Sequence, residues 1–184
     1  MGVSGSLNFV TNLIILDRDG VINVDSDAFI KSPEEWQPIP GSLAAIAALQ
    51  QQGYTVAVAT NQSGLARGLF TETTLHHIHT KFQDALVQHG GQPVTIVYCP
   101  HGPENSCACR KPSPGLIHEL LTRYQAQAAD TWVVGDAVRD LEAATRAGAK
   151  PILVLTGKGV QTQQQLQKPI LPIYPDLAGV TTAL

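Results

Sequence analysis

Aromatic side chains are scarce, at 5% of the chain, and they form no interleaved platform on which bases could stack. Positive charge is not in excess either. Lys and Arg total 12 against 15 Asp and Glu, for a formal net charge of −3, so the electrostatic footprint of a nucleic-acid binder is missing. Charged residues make up only 15%, and no run of like charge reads as a tail. The apolar runs fall far short of the ~20 residues of a membrane span. The first residues, Met1–Phe9, are Gly/Ser-rich rather than basic and then apolar, as a secretory leader would be. These absences set the expectation of a soluble, cytoplasmic protein with neither nucleic acid nor membrane as partner. No heptad pattern or long apolar surface helix is present, so a monomer is expected. Cysteine is scarce too, but all three residues fall within Cys99–Cys109. Such clustering points to metal rather than to disulfides, in a reducing compartment.

Hydrophobic residues reach 43% of the 184, enough for a real core, and the length suits one domain spanning residues 1–184. The organising stretch is Leu13-Ile14-Ile15-Leu16-Asp17-Arg18-Asp19-Gly20. An all-apolar run of this kind reads as a buried parallel strand, and two acids then stand at its carboxyl end, where open α/β sheets place their ligands. The alternative is a strand followed by an Asp-Gly turn with solvated acids, and this stretch alone does not separate the two. Further strands are expected at Thr55–Ala59, Val94–Tyr98, Thr131–Val134 and Ile152–Leu155. Helices are expected over Ser42–Gln52, from a Thr71 cap to about His89, from Ser113-Pro114-Gly115 to about Tyr124 with Pro just inside the start, and over Asp140–Ala147. Strands alternating with helices in this way predict a three-layer α/β/α sandwich around a parallel, doubly wound sheet. Only Val24–Pro40 and the cysteine loop are long, so no large cap domain is expected. After Gly157 the chain is Gln-rich and punctuated by proline, and no chemistry is legible there.

Cys99-Pro100-His101 followed by Cys107-Ala108-Cys109 puts four soft or borderline ligands into one short loop. That is the donor set of a Cys₃His zinc site, closed and therefore structural. Zinc there would hold the 99–109 loop and aim Arg110, the next residue. The alternative is three free cysteines and a surface His101. The other histidines, His76, His77, His79, His89 and His118, fall on expected helices and read as surface or packing residues.

In this order, Asp17-Arg18-Asp19-Gly20, Ala59-Thr60-Asn61-Gln62-Ser63-Gly64, Cys109-Arg110-Lys111-Pro112 and Val133-Val134-Gly135-Asp136-Ala137-Val138-Arg139-Asp140 resemble the four motifs of the haloacid dehalogenase (HAD) phosphatase superfamily. The resemblance implies that Asp17 is a nucleophile forming an aspartyl-phosphate. It implies that Asp19 protonates the leaving oxygen and later deprotonates the water. It also implies Mg²⁺ held by Asp17, Asp136 and the main-chain carbonyl of Asp19. Thr60 and Asn61 would offer a hydroxyl and amides to phosphate oxygens, Lys111 a fixed charge and Arg110 a bidentate fork. Asp140 either orients Lys111 or the metal site, or is a plain helix N-cap. Thr60-Asn61 as a polar strand-end turn and Arg110-Lys111 as a solvated basic pair are the plainer alternatives.

Within the superfamily, these motifs and the cysteine loop resemble one branch over about Leu13–Gly159. That branch holds the heptose bisphosphate and the histidinol-phosphate phosphatases, which lack a large cap and carry structural zinc. Val24–Lys31 resembles the heptose enzymes' substrate loop, which implies sugar contacts from Asp25, Ser26, Asp27 and Ala28, with Gln62 and Ser63 nearby. Trp36 sits in a similar context, and Thr156-Gly157-Lys158-Gly159 resembles the branch's end motif. The resemblance therefore implies hydrolysis of the C7 phosphate of a heptose 1,7-bisphosphate, in nucleotide-heptose and lipopolysaccharide biosynthesis. Histidinol phosphate is the alternative substrate, since the short link from His101 to Cys107 is shared with many members of that group. An inactive, zinc-stabilised binding module is the alternative of another class, against which Asp17, Asp19, Lys111 and Asp136 all stand intact. Transfer to an acceptor other than water is a third possibility, disfavoured by Asp19.

Overall fold

The computed structural model describes residues 12–166 and 170–184. Met1–Phe9 lies outside the described residues, as does Gln167–Pro169 of the C-terminal segment. Six strands form one parallel sheet: β1 (Leu13–Leu16), β2 (Thr55–Asn61), β3 (Thr95–Cys99), β4 (Trp132–Gly135), β5 (Lys150–Val154) and β6 (Ile173–Tyr174). Their order is β3-β2-β1-β4-β5-β6. The winding direction reverses between β1 and β4, and the crevice at such a switch point is where doubly wound sheets bind ligands. Both strands run into acids there. The register sets Leu16 beside Val134, and the Asp17 amide still donates to the Val134 carbonyl at 2.9 Å.

The alternation of side chains along β1 builds two cores. Ile14 and Leu16 join α1 (Ser42–Gln51), α2 (Glu72–Gln88) and α6 (Leu177–Ala183) on one face. Leu13 and Ile15 join α3 (Gly115–Tyr124) and α4 (Val138–Arg146) on the other. α5 (Gly159–Gln165) follows β5. Thr71 caps α2 as expected, its hydroxyl accepting the Thr74 N–H at 3.1 Å. The loop before α1 is pinned by Trp36, fully buried with its ring 5.8 Å from that of Phe82. No helix among the described residues is long and apolar enough to cross a membrane.

Three expectations need correction. The sheet has six strands, not five: β6 is a two-residue edge strand, and α6 packs behind it against α1 through Leu177 and Val180. β2 runs on through Thr60 and Asn61, which pair with Tyr98 and Cys99 of β3, so the cysteine loop begins inside the sheet. Pro114 is the residue before α3 rather than inside it, and α4 starts at Val138, which places Asp140 third in the helix rather than at its cap.

Candidate active site

Asp17 leaves β1 with its carboxylate buried. Its Oδ1 accepts the Arg18 N–H at 2.7 Å and stands 3.0 Å from Lys111 Nζ. The same ammonium lies 2.7 Å from Asp140 Oδ1 and donates to the Ala59 carbonyl at 2.8 Å. Lys111 is itself fixed by β2, because the Asn61 side chain accepts its N–H and donates to its carbonyl, each at 3.0 Å. Asn61 thus lines the cavity while its side-chain amide holds the Lys111 main chain. Asp140 does more than cap: Oδ1 faces Lys111 while Oδ2 accepts the Ala137 N–H at 3.1 Å. It orients Lys111, one of the two roles expected for it.

Asp19 is gripped from three sides. Arg18 meets it with a bidentate fork, Nε to Oδ1 and Nη2 to Oδ2, both 3.0 Å. Asn23 donates to Oδ1 at 2.9 Å and Gln62 to Oδ2 at 3.0 Å. Burial alone would raise this carboxyl's pKa, but the Arg18 charge and these donors outweigh it and hold it below the ordinary value. Gln62 also donates to the Thr60 hydroxyl at 3.0 Å, so one amide sets two of the expected catalytic groups. Behind Arg18, His79 Nε2 sits 3.2 Å from Nη1, and burial first, then the Arg18 charge, push the pKa of His79 down to about 3. A neutral ring there accepts from the guanidinium. His79 is a packing residue, as its helical position suggested.

Asp136 closes the site from β4. Its Oδ2 accepts the Lys158 N–H at 2.8 Å, whereas Oδ1 is buried with no partner at all. Gly20 and Gly157, both at positive φ, make room for it, since a Cβ on either would collide with the Asp136 carboxylate. Burial, then the neighbouring carboxylates of Asp17 and Asp140, raise Asp136 to about 7. Burial likewise raises Asp17 to about 6 despite Lys111. Carboxylate oxygens of Asp17, Asp136 and Asp140 lie within 4.8 Å of one another. Crowded acids with one oxygen left unpaired fit a hard divalent cation such as Mg²⁺.

In metal-free protein both carboxyls bind protons more tightly folded than unfolded. Their contribution to stability is complete below the ordinary carboxyl pKa of 3.8 and is lost as pH rises through about 6 and about 7. Asp19, shifted downward, acts only below that window. Metal-free protein is therefore expected to melt lower at pH 8 than at pH 5, at about 1.4 kcal/mol per tenfold change in proton affinity. Mg²⁺ at pH 8 is expected to raise the melting temperature. Scanning calorimetry would show it, and a melting temperature that does not fall between those pH values would contradict it.

The cavity over these groups is lined by Asp17, Asp19, Thr60, Asn61, Gln62 and Ser63 on its floor, and by Asp25, Ser26, Asp27, Phe29 and Ile30 from the loop after β1. Ala28 is exposed and outside the lining, its carbonyl occupied by Lys31 Nζ at 3.0 Å. Phe29, at φ 65°, takes the inward place instead. Arg110 lines the wall as expected, with one arm donating to the His101 carbonyl at 3.0 Å. Arg139 and Lys158 line it too. Sequence reasoning assigned neither, nor the buried Arg18; each stands one or two residues from a motif acid or glycine, which was the available signal.

The cysteine loop brings its four donors together. Cys99 Sγ lies 3.8 Å from Cys107 Sγ and 3.5 Å from His101 Nδ1, and Cys109 Sγ lies 3.3 Å from that nitrogen. All four ligand atoms fall within 4.8 Å of one another, the spacing a tetrahedral zinc with ~2.3 Å Zn–S bonds requires. Burial, with Cys109 beside it, pushes the Cys99 thiol up to about 12, so a cation is what would let it ionise.

Comparison with known proteins extends this picture. A family model described as HAD-hydrolase-like matches residues 108–180. The D-glycero-beta-D-manno-heptose-1,7-bisphosphate 7-phosphatase of Pseudomonas putida is 51% identical, over 94% of this chain and 98% of its own. The protein of that name from Bordetella bronchiseptica is 54% identical, over 94% and 97%. Among solved structures, the D,D-heptose 1,7-bisphosphate phosphatase of B. bronchiseptica, complexed with magnesium and phosphate, superposes with a TM-score of 0.91 at 53% identity, over 94% of this chain and 97% of that one.

Proposed function

Since the chain belongs to the D-glycero-beta-D-manno-heptose-1,7-bisphosphate 7-phosphatase family of HAD-like hydrolases, we propose that Asp17, Asp19, Thr60 and Lys111 carry out the hydrolysis in this protein and that its substrate is the β anomer. The enzyme is a Mg²⁺-dependent phosphatase that removes the C7 phosphate of heptose 1,7-bisphosphate. The observation that carries the proposed roles is the meeting, at the switch point of the sheet, of Asp17 with the Lys111 ammonium, the triply held Asp19 and the unpaired Oδ1 of Asp136.

Asp17 attacks the C7 phosphorus and the C7 oxygen leaves with a proton from Asp19. Water, deprotonated by Asp19, then releases phosphate from the aspartyl-phosphate. At rest Asp19 is held ionised, the form that serves the second step. An entering phosphate dianion raises its proton affinity by like-charge repulsion, so that Asp19 takes up from solvent the proton it gives to the C7 oxygen in the first step. Lys111, with no freedom to leave Asp17, meets the transferring oxygens with a fixed positive charge. Asp17, Asp136 and the Asp19 carbonyl would hold Mg²⁺, whose charge offsets that of the phosphate. Thr60 presents its hydroxyl beside them. Asp25, Ser26 and Asp27 accept sugar hydroxyls. A bisphosphate this highly charged does not cross a bilayer unaided, which supports a cytoplasmic enzyme.

The substrate is tested by phosphate release, with Mg²⁺, from the β and α heptose 1,7-bisphosphates and histidinol phosphate side by side. The β anomer is expected to give the highest kcat/KM. A dominant rate on histidinol phosphate would overturn the substrate and leave the catalytic residues standing.

We propose further that Cys99, His101, Cys107 and Cys109 hold structural zinc. Metal analysis is expected to find one zinc per chain, absent from Cys107→Ser. That variant is expected to melt at least roughly 10 °C lower, given about 2–4 °C per kcal/mol for a chain of this size. Its KM should rise as the Arg110 anchor loosens. Unchanged melting and zinc content would contradict the site.

A further inference from the structure

Arg139 lines the substrate cavity and has no role so far. It is the second residue of α4, between Asp136 and Asp140, and faces the same space as Asp17, Asp25 and Arg110. The other cations there have partners. Lys111, buried and outside the lining, is ion-paired to Asp17 and Asp140. Lys158 lies 3.3 Å from Asp25 and 3.5 Å from Asp27. Arg110 has one arm on the His101 carbonyl. Among the described residues the Arg139 guanidinium makes no hydrogen bond or ion pair, and its Nε is buried without a partner. The carboxylates of Asp140, Asp17, Asp136 and Asp25 stabilise its charge from further off, but its donors are unmet, and leaving a buried donor unmet is unfavourable unless a ligand completes it.

This inference rests on the bisphosphate reading above. Such a substrate brings two phosphates. Lys111 is committed to the one that reacts, and a guanidinium fork matches phosphate bidentately. We propose that Arg139 is a specificity-determining residue whose free guanidinium binds the phosphate that is not hydrolysed, with Arg110 on the adjoining wall. The site then selects a sugar bisphosphate over the corresponding monophosphate through a residue on α4, not only through the zinc-held loop.

The test measures kcat and KM of wild type, Arg139→Met and Arg139→Lys on heptose 1,7-bisphosphate and on heptose 7-phosphate, which lacks only the second phosphate. For Arg139→Met, kcat/KM on the bisphosphate is expected to fall roughly 10–100-fold, mainly through KM. The loss on the monophosphate is expected to be at least tenfold smaller, so the preference between the two collapses. Arg139→Lys is expected to restore part of the bisphosphate KM, which a merely structural role would not predict. Equal losses on both substrates, or none on the bisphosphate, would overturn the proposal. A wild type that does not hydrolyse the bisphosphate would instead overturn the functional reading on which it rests.

Discussion

Asp17→Asn is expected to lower Mg²⁺-dependent phosphate release by at least roughly 10⁴-fold, the scale on which removal of a covalent nucleophile is felt. The amide is nearly isosteric with the carboxylate but cannot attack phosphorus. The fold is not expected to suffer. Asp17 is one of the acids whose burial and mutual repulsion raise its own pKa to about 6 and that of Asp136 to about 7, and a neutral amide relieves that repulsion. Lys111 keeps Asp140 at 2.7 Å and the Ala59 carbonyl at 2.8 Å. The variant is therefore expected to melt no lower than wild type in the absence of metal. Activity within tenfold of wild type would exclude Asp17 as the nucleophile.

Lys111→Met is expected to damage both chemistry and stability. It removes a positive charge that stands between two buried carboxylates, Asp17 at 4% exposure and Asp140 at 1%. Breaking a buried pair from one side costs about 3–5 kcal/mol, which at about 2–4 °C per kcal/mol means a melting temperature roughly 6–20 °C lower. The loss is expected to be smaller at acid pH, where Asp17 takes up a proton and no longer needs the cation. Turnover is expected to drop about 10²–10³-fold, as when one preorganised donor to the developing charge is lost. Lys111→Arg is not expected to rescue it, because a planar fork cannot replace a compact ammonium held by two carboxylates and a carbonyl. Thermal melts and steady-state rates would measure the two effects. A variant with wild-type turnover would assign Lys111 to packing alone.

The parts of the fold that could be read in the sequence are those where one physical pressure dominates. β1 is buried on both faces, so it is a continuous apolar run, and the abrupt change to Asp17 marks its functional end. The same holds for β4 and Asp136. β6 is not legible because two half-buried residues at a sheet edge leave no period to read, and α6 buries little beyond Leu177 and Val180. The end of β2 is hidden in the sequence because Thr60 and Asn61 are polar side chains on a backbone that is still paired.

The site divides along similar lines. Acids at strand ends and clustered cysteines stand out against a background where such residues are not needed for packing. Partnerships across long stretches of chain do not. The Asn61 amide is committed to the Lys111 main chain, 50 residues away, and nothing local distinguishes that from an amide offered to a ligand. Arg18, Arg139 and Lys158 look like ordinary charged residues until the fold buries the first and turns the others into the cavity. Ala28 lies between two lining residues, Asp27 and Phe29, and nothing local shows that it stays outside the cavity.

The position of cleavage is tested most directly by ³¹P NMR of the wild-type enzyme acting on heptose 1β,7-bisphosphate in the presence of Mg²⁺. Hydrolysis at C7 predicts that the C7 phosphate signal disappears as inorganic phosphate grows in, while the C1 phosphate signal stays intact. Loss of the C1 phosphate, or no release from either position, would contradict it.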